Sequence, residues 1–501
     1  MDTLFPRLHA QHGSPSSELA LRVGERALSW GELASACAHH VETLELRGAS
    51  PGDRVAVWTQ PALETLVALV AHAAAGYVSV PIDPKLGAKE LGHVLSDAAP
   101  RLAFAADPAT VIERAPGLET LRAELTLAGA ASIAPRPILD VPLLVLYTSG
   151  TTGAPKGALI TARNVASDLD LLAHAWAWSG SDVIVHALPM FHVHGLVLGL
   201  FGALRRGGAL RWVPRFSPED VAGALRDHEQ TVLFGVPTMY TRLCEAAERE
   251  LAIAEALRGA RLLVSGSAPL PSREHQRIEA LSGHRAIERY GLTETLINCS
   301  ARHDGDRRAG CVGLPLEAPG VAHVGLRLVD DARAPIDAYD DETIGEIAVR
   351  GPNVFAGYLN REDATRAVLD EEGWFYTGDL ATRAADGSIR IVGRRATDLI
   401  KCGGFKVGAG EVESALLEHP RVREAAVIGM PDPDLGERIV AFVVASEAIP
   451  AKELEDHVAA LLSPHKRPRV VRFVSALPRN AMGKVQKTAL RSAEQSESVQ
   501  E

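Results

Sequence analysis

The chain has 501 residues, of which 47% are hydrophobic and 23% charged, and its formal net charge is −11. This length predicts two or three domains, and the composition is that of a globular protein with ample apolar material for a core. The negative charge argues against broad binding to nucleic acid or to a membrane, so any anionic substrate must be held by locally placed cations.

The five cysteines are scattered, and their spacing fits neither a metal site nor a CxxC redox pair. Such thiols are typical of reduced cysteines in a cytoplasmic protein, which is the location we predict. The N-terminus has no apolar stretch of signal-peptide length. Residues 62–80 form the most apolar segment, but Glu64 and His72 interrupt it, so it predicts a buried helix and strand and not a membrane span.

Short apolar runs alternate with helical patterns through the first two thirds of the chain. Strands are predicted at 54–59, 141–147, 183–187, 232–234 and 261–264, and helices at 62–75 and 163–178. This alternation predicts an α/β fold with parallel or mixed sheets covered by helices.

The pattern changes after about residue 330, where an acidic, turn-rich stretch precedes a half-exposed strand at 344–350. Asp386-Gly387 predicts a tight hairpin turn. After a break at 393–398, a small α+β unit is predicted from a helix at 410–418, strands at 425–429 and 439–445, and a helix at 451–462. The last ten residues carry no apolar anchor and are predicted to be disordered.

The most informative segment is 147–157, which reads Tyr-Thr-Ser-Gly-Thr-Thr-Gly-Ala-Pro-Lys-Gly. Its glycines permit close backbone approach, its successive N–H groups can form an anion-binding concavity, and its hydroxyls and lysine add donors for a polyphosphate. The candidate binding residues are Thr148, Ser149, Gly150, Thr151, Thr152, Gly153 and Lys156. A surface turn after a buried strand is the simpler interpretation, but it leaves this combination of hydroxyls and lysine unexplained.

The segment is not a Walker A motif, because two residues separate Gly150 from Gly153 and Gly157 follows Lys156. It resembles the phosphate loop of the adenylate-forming superfamily, which includes acyl-CoA synthetases, peptide-synthetase adenylation domains and firefly luciferase. Further motifs follow in the family order, and the match runs from about Ser29 to Lys487. The resemblance implies a large N-terminal part of several α/β subdomains, a small mobile C-terminal α+β domain, ATP and coenzyme A as co-substrates, and Mg²⁺ as cofactor.

The motif Tyr290-Gly-Leu-Thr-Glu-Thr295 resembles a nucleotide-binding segment of the superfamily. The resemblance implies that Glu294 helps to hold Mg²⁺, with Thr151 beside it, and that Tyr290, Gly291 and Thr293 lie at the nucleotide. One carboxylate together with phosphate oxygens is a usual Mg²⁺ environment. The segment 265–270 is similar to one that lines the boundary between the acyl and adenine pockets.

Asp379, in Tyr-Thr-Gly-Asp, and Arg394 resemble the superfamily's ribose contacts, and a carboxylate is suited to accept two O–H bonds. Lys484 resembles the lysine that meets the α-phosphate and carboxylate oxygens, where it would stabilise developing charge. The resemblance thus assigns catalysis to Lys484, Thr151 and His194.

The implied reaction has two halves, formation of an acyl-AMP with release of pyrophosphate and then attack by a thiol. In the superfamily the C-terminal domain rotates between them, so we expect a domain at 1–393, a hinge at 394–398 and a mobile domain at 399–501. A hinge consists of a few residues that absorb large backbone changes. The loop with Gly403 and Gly404 is expected to enter the site for thioester formation.

Two features bear on the acid. Arg289 precedes the Tyr290 motif, and His192 and His194 lie in Met-Phe-His-Val-His-Gly, which resembles the acyl-pocket motif. An arginine in the pocket can pair with a second carboxylate, and Ser267 is a further candidate partner. Glu-Arg-Tyr-Gly is similar to malonyl-CoA synthetases, which implies malonate, or methylmalonate, as the dicarboxylic acid. The product would serve acyl-carrier-dependent synthases as an extender unit.

Several alternatives stay open on sequence alone. Arg289 could pair with Glu288 or another acid, and the two histidines could simply pack. A ligase for a short-chain or aromatic monocarboxylic acid, an adenylation enzyme that loads a carrier protein, and an inactive nucleotide-binding regulator are competing functions. The basic stretch 465–469 is a candidate for binding the coenzyme A nucleotide or a solvated charge run.

Overall fold

The computed structural model describes residues 2–11, 15–127, 133–148, 154–395, 397–403, 405–479 and 485–498. A π-helical segment, His194–Phe201, and a 3₁₀ turn, Pro464–Lys466, supplement the regular elements. The α-helices are α1 (Pro6–His9), α2 (Trp30–Leu46), α3 (Leu63–Ala75), α4 (Ala88–Ala98), α5 (Pro108–Arg114), α6 (Ala162–Trp176), α7 (Gly202–Arg205), α8 (Pro218–Arg226), α9 (Pro237–Ala247), α10 (Leu251–Gly259), α11 (Ser272–Ser282), α12 (Glu362–Val368), α13 (Ala409–Leu417), α14 (Ala451–Leu461) and α15 (Lys487–Ser498).

The strands form four sheets. They are β1 (Leu19–Val23), β2 (Arg26–Ser29), β3 (Arg54–Trp58), β4 (Val78–Ile82), β5 (Leu102–Ala105), β6 (Thr120–Arg122), β7 (Pro142–Thr148), β8 (Lys156–Thr161), β9 (Val183–His186), β10 (Ala209–Trp212), β11 (Thr231–Gly235), β12 (Leu262–Ser265), β13 (Ile287–Leu292), β14 (Leu296–Ser300), β15 (Leu314–Pro315), β16 (Gly325–Val329), β17 (Pro335–Ile336), β18 (Gly345–Arg350), β19 (Phe375–Arg383), β20 (Ile389–Arg394), β21 (Leu399–Cys402), β22 (Phe405–Gly408), β23 (Val422–Asp432), β24 (Gly436–Ala445) and β25 (Val470–Phe473).

Two large sheets carry the N-terminal part. One has the order β15-β14-β13-β12-β11-β9-β10-β1-β2, and its strands from β13 to β1 pair in parallel. The other has the order β6-β5-β3-β4-β7-β8, with only the β7–β8 hairpin antiparallel. Buried apolar side chains from both sheets and from α2, α3 and α6 form one continuous core. The predicted α/β class is therefore confirmed.

Helix α6 connects the two large sheets. It begins directly after β8, where Thr161 and Asn164 form a capping box, because the threonine hydroxyl accepts from the N–H of residue 164 and the asparagine side chain accepts from the N–H of residue 161. It then packs against β14 of the nine-stranded sheet. Strand β8, which begins at Lys156, and the β13–β14 pair that carries the Tyr290 motif are thereby held in a fixed relation.

A third sheet is antiparallel, with the order β17-β16-β18-β19-β20. The predicted hairpin turn at Asp386-Gly387 joins β19 to β20, and Gly387 has a φ of 85°. The C-terminal unit combines α13, α14 and α15 with the sheet β22-β21-β24-β23, to which β25 adds in parallel. This is the small α+β unit that the sequence predicts.

The prediction of a disordered C-terminal tail is wrong for residues 492–498, which continue α15. Leu490 and Glu494 lie one turn apart and are both buried. The carboxylate of Glu494 pairs with the guanidinium of Arg472 on β25, at 3.0 and 3.1 Å. A distant cation thus anchors the helix, which the local composition could not indicate.

Residues 62–80 form α3 and most of β4, as predicted, and not a membrane span. Within the part of the chain that the structure describes, no helix is both long and apolar enough to cross a membrane. All five cysteines are buried and free.

Candidate active site

The site lies where neighbouring strands of the nine-stranded sheet end. His186, Gly235 and Ser265 are the last residues of β9, β11 and β12, and these strands are adjacent and parallel. The π-helical segment follows β9, and Arg289 lies on the next strand, β13. Ligands of open α/β sheets bind at this edge, because the loops that follow parallel strands converge there.

Asp379 is the centre of a buried polar group next to this edge. Its Oδ2 accepts a hydrogen bond from the hydroxyl of Tyr290 at 2.7 Å, and its Oδ1 lies 2.7 Å from Nε of Arg394. Arg394 pairs with Asp379 in the ladder between β20 and β19, so the hairpin sets this contact. Three residues that the sequence places at the nucleotide are thus brought together.

Gly291 closes the turn beside this group. A Cβ at this position would lie 1.7 Å from the carbonyl oxygen of Leu296, so any side chain would open the β13–β14 pair. Thr293 and Glu294 lie in the turn that this pair encloses.

Lys156 and Glu294 both contact Tyr358. The ammonium of Lys156 lies 4.3 Å from the centre of the Tyr358 ring, and the hydroxyl of Tyr358 donates to Oε1 of Glu294 at 2.7 Å. Thr148 stands opposite Lys156 in the β7–β8 ladder. The lysine of the phosphate loop and the carboxylate of the Tyr290 motif therefore share one aromatic neighbour.

The carboxylate of Glu294 fits the predicted metal. Its Oε1 is hydrogen bonded, and no described residue donates to its second oxygen. Nowhere among the described residues do three or more His, Cys, Asp or Glu side chains form a group that could hold a metal ion. A single carboxylate that relies on phosphate oxygens for the remaining ligands suits Mg²⁺ in a nucleotide site.

Arg289 is the most unusual cation of the site. Its side chain is buried, and no described residue forms a hydrogen bond with its Nε or Nη2. Burial lowers the pKa of Arg289 to about 10, and the nearby charge of Asp168 partly opposes this shift. The group still carries its proton at neutral pH, so it is a buried positive charge whose hydrogen bonds are incomplete.

The alternative ion pair with Glu288 is wrong. Glu288 has other partners: its Oε2 accepts from the N–H of residue 270, and its Oε1 accepts from the N–H of residue 310 and lies 3.2 Å from Nε2 of His275. No acid within the described residues forms an ion pair with Arg289 at 4.0 Å or less. The guanidinium instead lies against Gly266, where an added Cβ would be only 2.3 Å from Cζ of Arg289.

His194 begins the π-helical segment and is buried near the charge of Arg289. Its Nδ1 lies 3.5 Å from the hydroxyl of Ser267, its ring centre is 5.6 Å from that of Phe234, and its Nε2 has no hydrogen-bond partner within the described part of the chain. Burial, followed by the charge of Arg289, holds the pKa of His194 well below its usual range. The ring is therefore neutral at neutral pH. It can donate one hydrogen bond and accept another without adding charge to the site.

His192 and Ser267 are neighbours of His194. Burial lowers the pKa of His192 to about 4, and none of the described residues forms a hydrogen bond with its Nε2. Ser267 has a φ of 71°, which non-glycine residues rarely adopt, and its side chain is exposed beside His194. Strain of this kind concentrates at functional sites.

Asp398, the last residue of the predicted hinge, contacts both ends of its surroundings. Its carboxylate oxygen Oδ2 accepts from the N–H of Arg394, the first hinge residue, at 2.9 Å. The other oxygen, Oδ1, lies 2.7 Å from Nζ of Lys487 in the C-terminal unit. Lys487 also pairs with Glu413 at 2.6 Å. Gly403 directly follows β21 and is exposed.

The basic stretch 465–469 is more than a solvated charge run. Lys466 pairs with Glu411, and the ring of His465 stacks on Phe405 with centres 4.1 Å apart. Several predicted site residues lie outside the described residues: Ser149, Gly150, Thr151, Thr152, Gly153, Gly404 and Lys484. Their roles stay predictions.

Residues 9–359 match the model of a family described as AMP-binding enzyme, and residues 411–484 match its C-terminal domain. The chain belongs to the AMP-binding enzyme family. A member from Arabidopsis thaliana, a malonate–CoA ligase, is 32% identical over 98% of this chain and 88% of its own length.

Two solved structures of family members resemble the chain. A malonyl-CoA ligase in a ternary product complex with methylmalonyl-CoA and AMP is 54% identical, with a TM-score of 0.71, and the match covers 95% of this chain and 100% of that one. ATP-bound MatB from Rhodopseudomonas palustris is 35% identical, with a TM-score of 0.86 and 98% coverage of both chains.

Sequence reasoning missed two residues that this AMP-binding enzyme places in the site. Tyr358 links Lys156 to Glu294, and Asp168 acts electrostatically on Arg289. Neither stands in a motif whose spacing indicates chemistry. For Asp168 the sequence offers one signal: it is an acidic residue on the otherwise apolar face of a predicted helix.

Proposed function

We propose that this AMP-binding enzyme is an ATP-dependent ligase that joins malonate to coenzyme A, with AMP and pyrophosphate as the other products. The observation that carries the proposal is the buried guanidinium of Arg289, two nitrogens of which lack a hydrogen-bond partner among the residues that the structure describes. A carboxylate at the far end of a short diacid supplies both the missing charge and the missing acceptors. Relatives named as malonate or malonyl-CoA ligases support the same acid.

The pocket also argues against monocarboxylic acids. A hydrocarbon chain placed against Arg289 would leave a desolvated charge without a partner, which is among the most unfavourable arrangements in a protein interior. His194 and Ser267 add a neutral ring and a hydroxyl beside the cation. These groups suit the polar far end of a diacid better than an alkyl or aromatic tail. The proposal extends to methylmalonate, because the relative bound to methylmalonyl-CoA is 54% identical.

In the first half-reaction, one carboxylate oxygen of malonate attacks the α-phosphorus of ATP. The bond from that phosphorus to the bridging oxygen breaks, and its electron pair leaves with pyrophosphate. Lys156, the phosphate loop and Lys484 bind and neutralise the anionic oxygens, while Asp379 and Arg394 orient the ribose. Catalysis of this type depends mainly on positioning and charge stabilisation.

Glu294 and Thr151 would hold Mg²⁺ together with phosphate oxygens, and the ion would neutralise charge on the departing pyrophosphate. Tyr358 orients the carboxylate of Glu294 through the 2.7 Å hydrogen bond. This residue contributes by fixing a ligand and not by touching the reacting atoms.

In the second half-reaction, the sulfur of coenzyme A attacks the carbonyl carbon of malonyl-AMP. The carbon–oxygen bond to the phosphate breaks, AMP leaves with that electron pair, and the thiol proton is released. The predicted hinge, residues 394–398, turns the C-terminal domain between the two halves and brings the loop at Gly403 to the site. The difference in TM-score supports two arrangements, since the chain is closer in shape to the ATP-bound relative although it is more identical to the product complex.

Two parts of the proposal concern the cell. We place the enzyme in the cytoplasm, which its five free cysteines support. Its product, malonyl-CoA or methylmalonyl-CoA, would supply extender units to acyl-carrier-dependent synthases.

One panel of acids tests the function. The protein is incubated with ATP, Mg²⁺, coenzyme A and either malonate, methylmalonate, succinate, propionate, octanoate or benzoate, and the products are measured by mass spectrometry. We expect malonyl-CoA and AMP, with kcat/KM for malonate at least about a hundredfold above that for propionate. Preference for a monocarboxylic acid would refute the diacid. Acyl-AMP without any thioester would indicate a carrier-protein substrate, and no pyrophosphate with any acid would indicate an inactive regulator.

A further inference from the structure

Helix α4, which carries none of the sequence motifs of the site, lies against both ends of the phosphate-loop segment 147–157. Residues 149–153 lie outside the described part of the chain, whereas both ends of the segment are described. His93 and Asp97 are four residues apart on α4, so they lie on the same face of the helix. The two side chains reach different ends of the segment.

Asp97 fixes the first end through Tyr147. The hydroxyl of Tyr147 donates to Oδ2 of Asp97 at 2.7 Å. The ring of Tyr147 lies across the β7–β8 ladder over Gly157, where an added Cβ would be 3.1 Å from Cζ of the ring. Asp97 therefore orients a ring that covers the residue directly after Lys156.

His93 fixes the second end through Pro155. Its Nε2 lies 2.8 Å from the carbonyl oxygen of Pro155, the residue directly before Lys156. A carbonyl oxygen can only accept, so Nε2 carries the hydrogen and donates. The His93 ring also meets the Tyr147 ring edge-on, with centres 6.4 Å apart. The backbone on both sides of Lys156 is thereby supported from α4.

Asp97 also contacts the segment that carries Tyr358. Nδ2 of Asn360 donates to the backbone oxygen of Asp97 at 3.0 Å and to its Oδ1 at 3.3 Å. Tyr358 stands two residues before Asn360 and contacts both Lys156 and Glu294. One carboxylate on α4 thus joins the phosphate-loop segment to the residue that orients the predicted metal ligand.

We propose that His93 and Asp97 are positioning residues for ATP, which hold Lys156 and Tyr358 where the triphosphate binds. The segment 147–157 contains three glycines, whose backbone freedom is lost when a polyphosphate is bound. Fixing both ends of the segment beforehand lowers this cost and strengthens binding. ATP is a co-substrate of the AMP-binding enzyme family, so the inference does not depend on which acid this enzyme uses.

Binding of ATP without any carboxylic acid tests the inference, because no adenylate forms in the absence of an acid. Isothermal titration calorimetry with ATP and Mg²⁺ measures the dissociation constant. For His93→Leu and for Asp97→Ala we expect this constant to rise about tenfold, as when the partner that orients a metal ligand is removed.

Two further variants serve as comparisons. His93→Gln should bind ATP nearly as tightly as the wild type, because its amide keeps an N–H that can donate to Pro155. Lys89→Ala changes an exposed side chain on the same helix and should leave the dissociation constant unchanged. A His93→Gln protein that binds as weakly as His93→Leu would refute the hydrogen bond to Pro155 as the cause.

Steady-state kinetics separate positioning from a loss of folded protein. A partly unfolded variant has fewer active molecules, so its apparent kcat falls while KM for each substrate is unchanged. Positioning predicts instead that KM for ATP rises while KM for malonate stays within about twofold. The double variant Tyr147→Phe, Asp97→Ala should bind ATP no more weakly than Asp97→Ala alone, because the hydrogen bond that Tyr147→Phe removes is already lost.

ATP binding at the wild-type level in both His93→Leu and Asp97→Ala would overturn the inference, as would a fall in kcat with KM for ATP unchanged. A wild-type protein that binds ATP and makes no malonyl-CoA would defeat the proposed function instead. The calorimetric comparison of the variants would then still decide the role of the two α4 residues.

Discussion

The guanidinium of Arg289 lies directly against the Cα of Gly266, at the end of β12. A Cβ on Gly266 would stand 2.3 Å from Cζ and 2.6 Å from Nε and Nη2 of Arg289. Only glycine lets the arginine occupy this place, and the arginine is what gives the pocket its positive charge.

Gly266→Ala is therefore expected to displace the guanidinium. A shift of about 1 Å in a binding group can reduce a rate about a hundredfold, and we expect a loss of this order in kcat/KM for malonate. Steady-state kinetics with malonyl-CoA detection would measure it. Gly223→Ala on α8 is the matched control, because a Cβ there meets no atom within 4 Å. A Gly266→Ala enzyme as active as the control would show that the arginine does not need this position.

Tyr358→Phe should weaken Mg²⁺ binding in the first half-reaction without removing the ring beneath Lys156. The change deletes the 2.7 Å hydrogen bond to Glu294 and leaves that carboxylate less well oriented. We expect the Mg²⁺ concentration for half-maximal pyrophosphate release to rise about tenfold, as for other groups that orient a metal ligand. Tyr240→Phe, which removes a buried hydroxyl from the core, is the control. An unchanged Mg²⁺ dependence would argue against Glu294 as the metal ligand.

Thr397→Pro should separate the two half-reactions. Proline fixes φ near −65° and removes the N–H that bonds to the carbonyl oxygen of Arg394 at 3.2 Å, so it restricts rotation at the predicted hinge. We expect pyrophosphate release in the first turnover to persist while thioester formation falls at least about tenfold. Thr397→Ala keeps the N–H and serves as the comparison. Equal loss of both steps in the proline variant would count against a hinge at this residue.

Acid should destabilise the protein through its buried histidines. Burial lowers the pKa of His40, His72, His186, His192 and His194 below the ordinary value of 6.5, to about 3 for His40 and about 4 for His192. The unfolded chain takes up these protons first, so the stabilisation is complete above pH 6.5 and declines as the pH falls toward about 4. Each ring contributes up to about 1.4 kcal/mol per pH unit in that window.

Urea midpoints measured at pH 7.5, 6.5, 5.5 and 5.0 would test this expectation. The urea midpoint of the wild type should fall on acidification. In His40→Gln, which removes one partner of the 3.0 Å contact between His40 and His72, the midpoint should fall less per pH unit than in the wild type. A midpoint that rises on acidification would contradict it.

The sequence predicted the parts of the site that lie in contiguous motifs. Tyr290 and Glu294 lie near the carboxyl end of β13, and parallel strands bring their carboxyl ends to one edge of a sheet. Lys156 begins β8, and Asp379 lies within β19 of the antiparallel third sheet. Asp379 meets Arg394 across the β19–β20 ladder and Tyr290 through packing between two sheets. The α/β class and the small C-terminal unit followed from the alternation of helical and strand patterns.

The remaining parts depend on contacts between residues far apart in the chain. Tyr358 reaches Glu294 across 64 positions, and Asp168 reaches Ile297 across 129. Helix α15 continues through a polar sequence because Glu494 forms an ion pair with Arg472. Composition and periodicity describe only the local chain, so they could not indicate which partner any of these residues contacts.

The central claim is that Arg289 selects a diacid, and the most direct measurement compares wild type with Arg289→Leu. Pyrophosphate release and acyl-CoA formation are measured with malonate and with propionate, on protein whose fold is checked by circular dichroism. We predict that the variant loses malonyl-CoA formation by at least about a hundredfold and that its preference shifts toward propionate. Malonyl-CoA formation at the wild-type rate by a folded Arg289→Leu enzyme would contradict the claim.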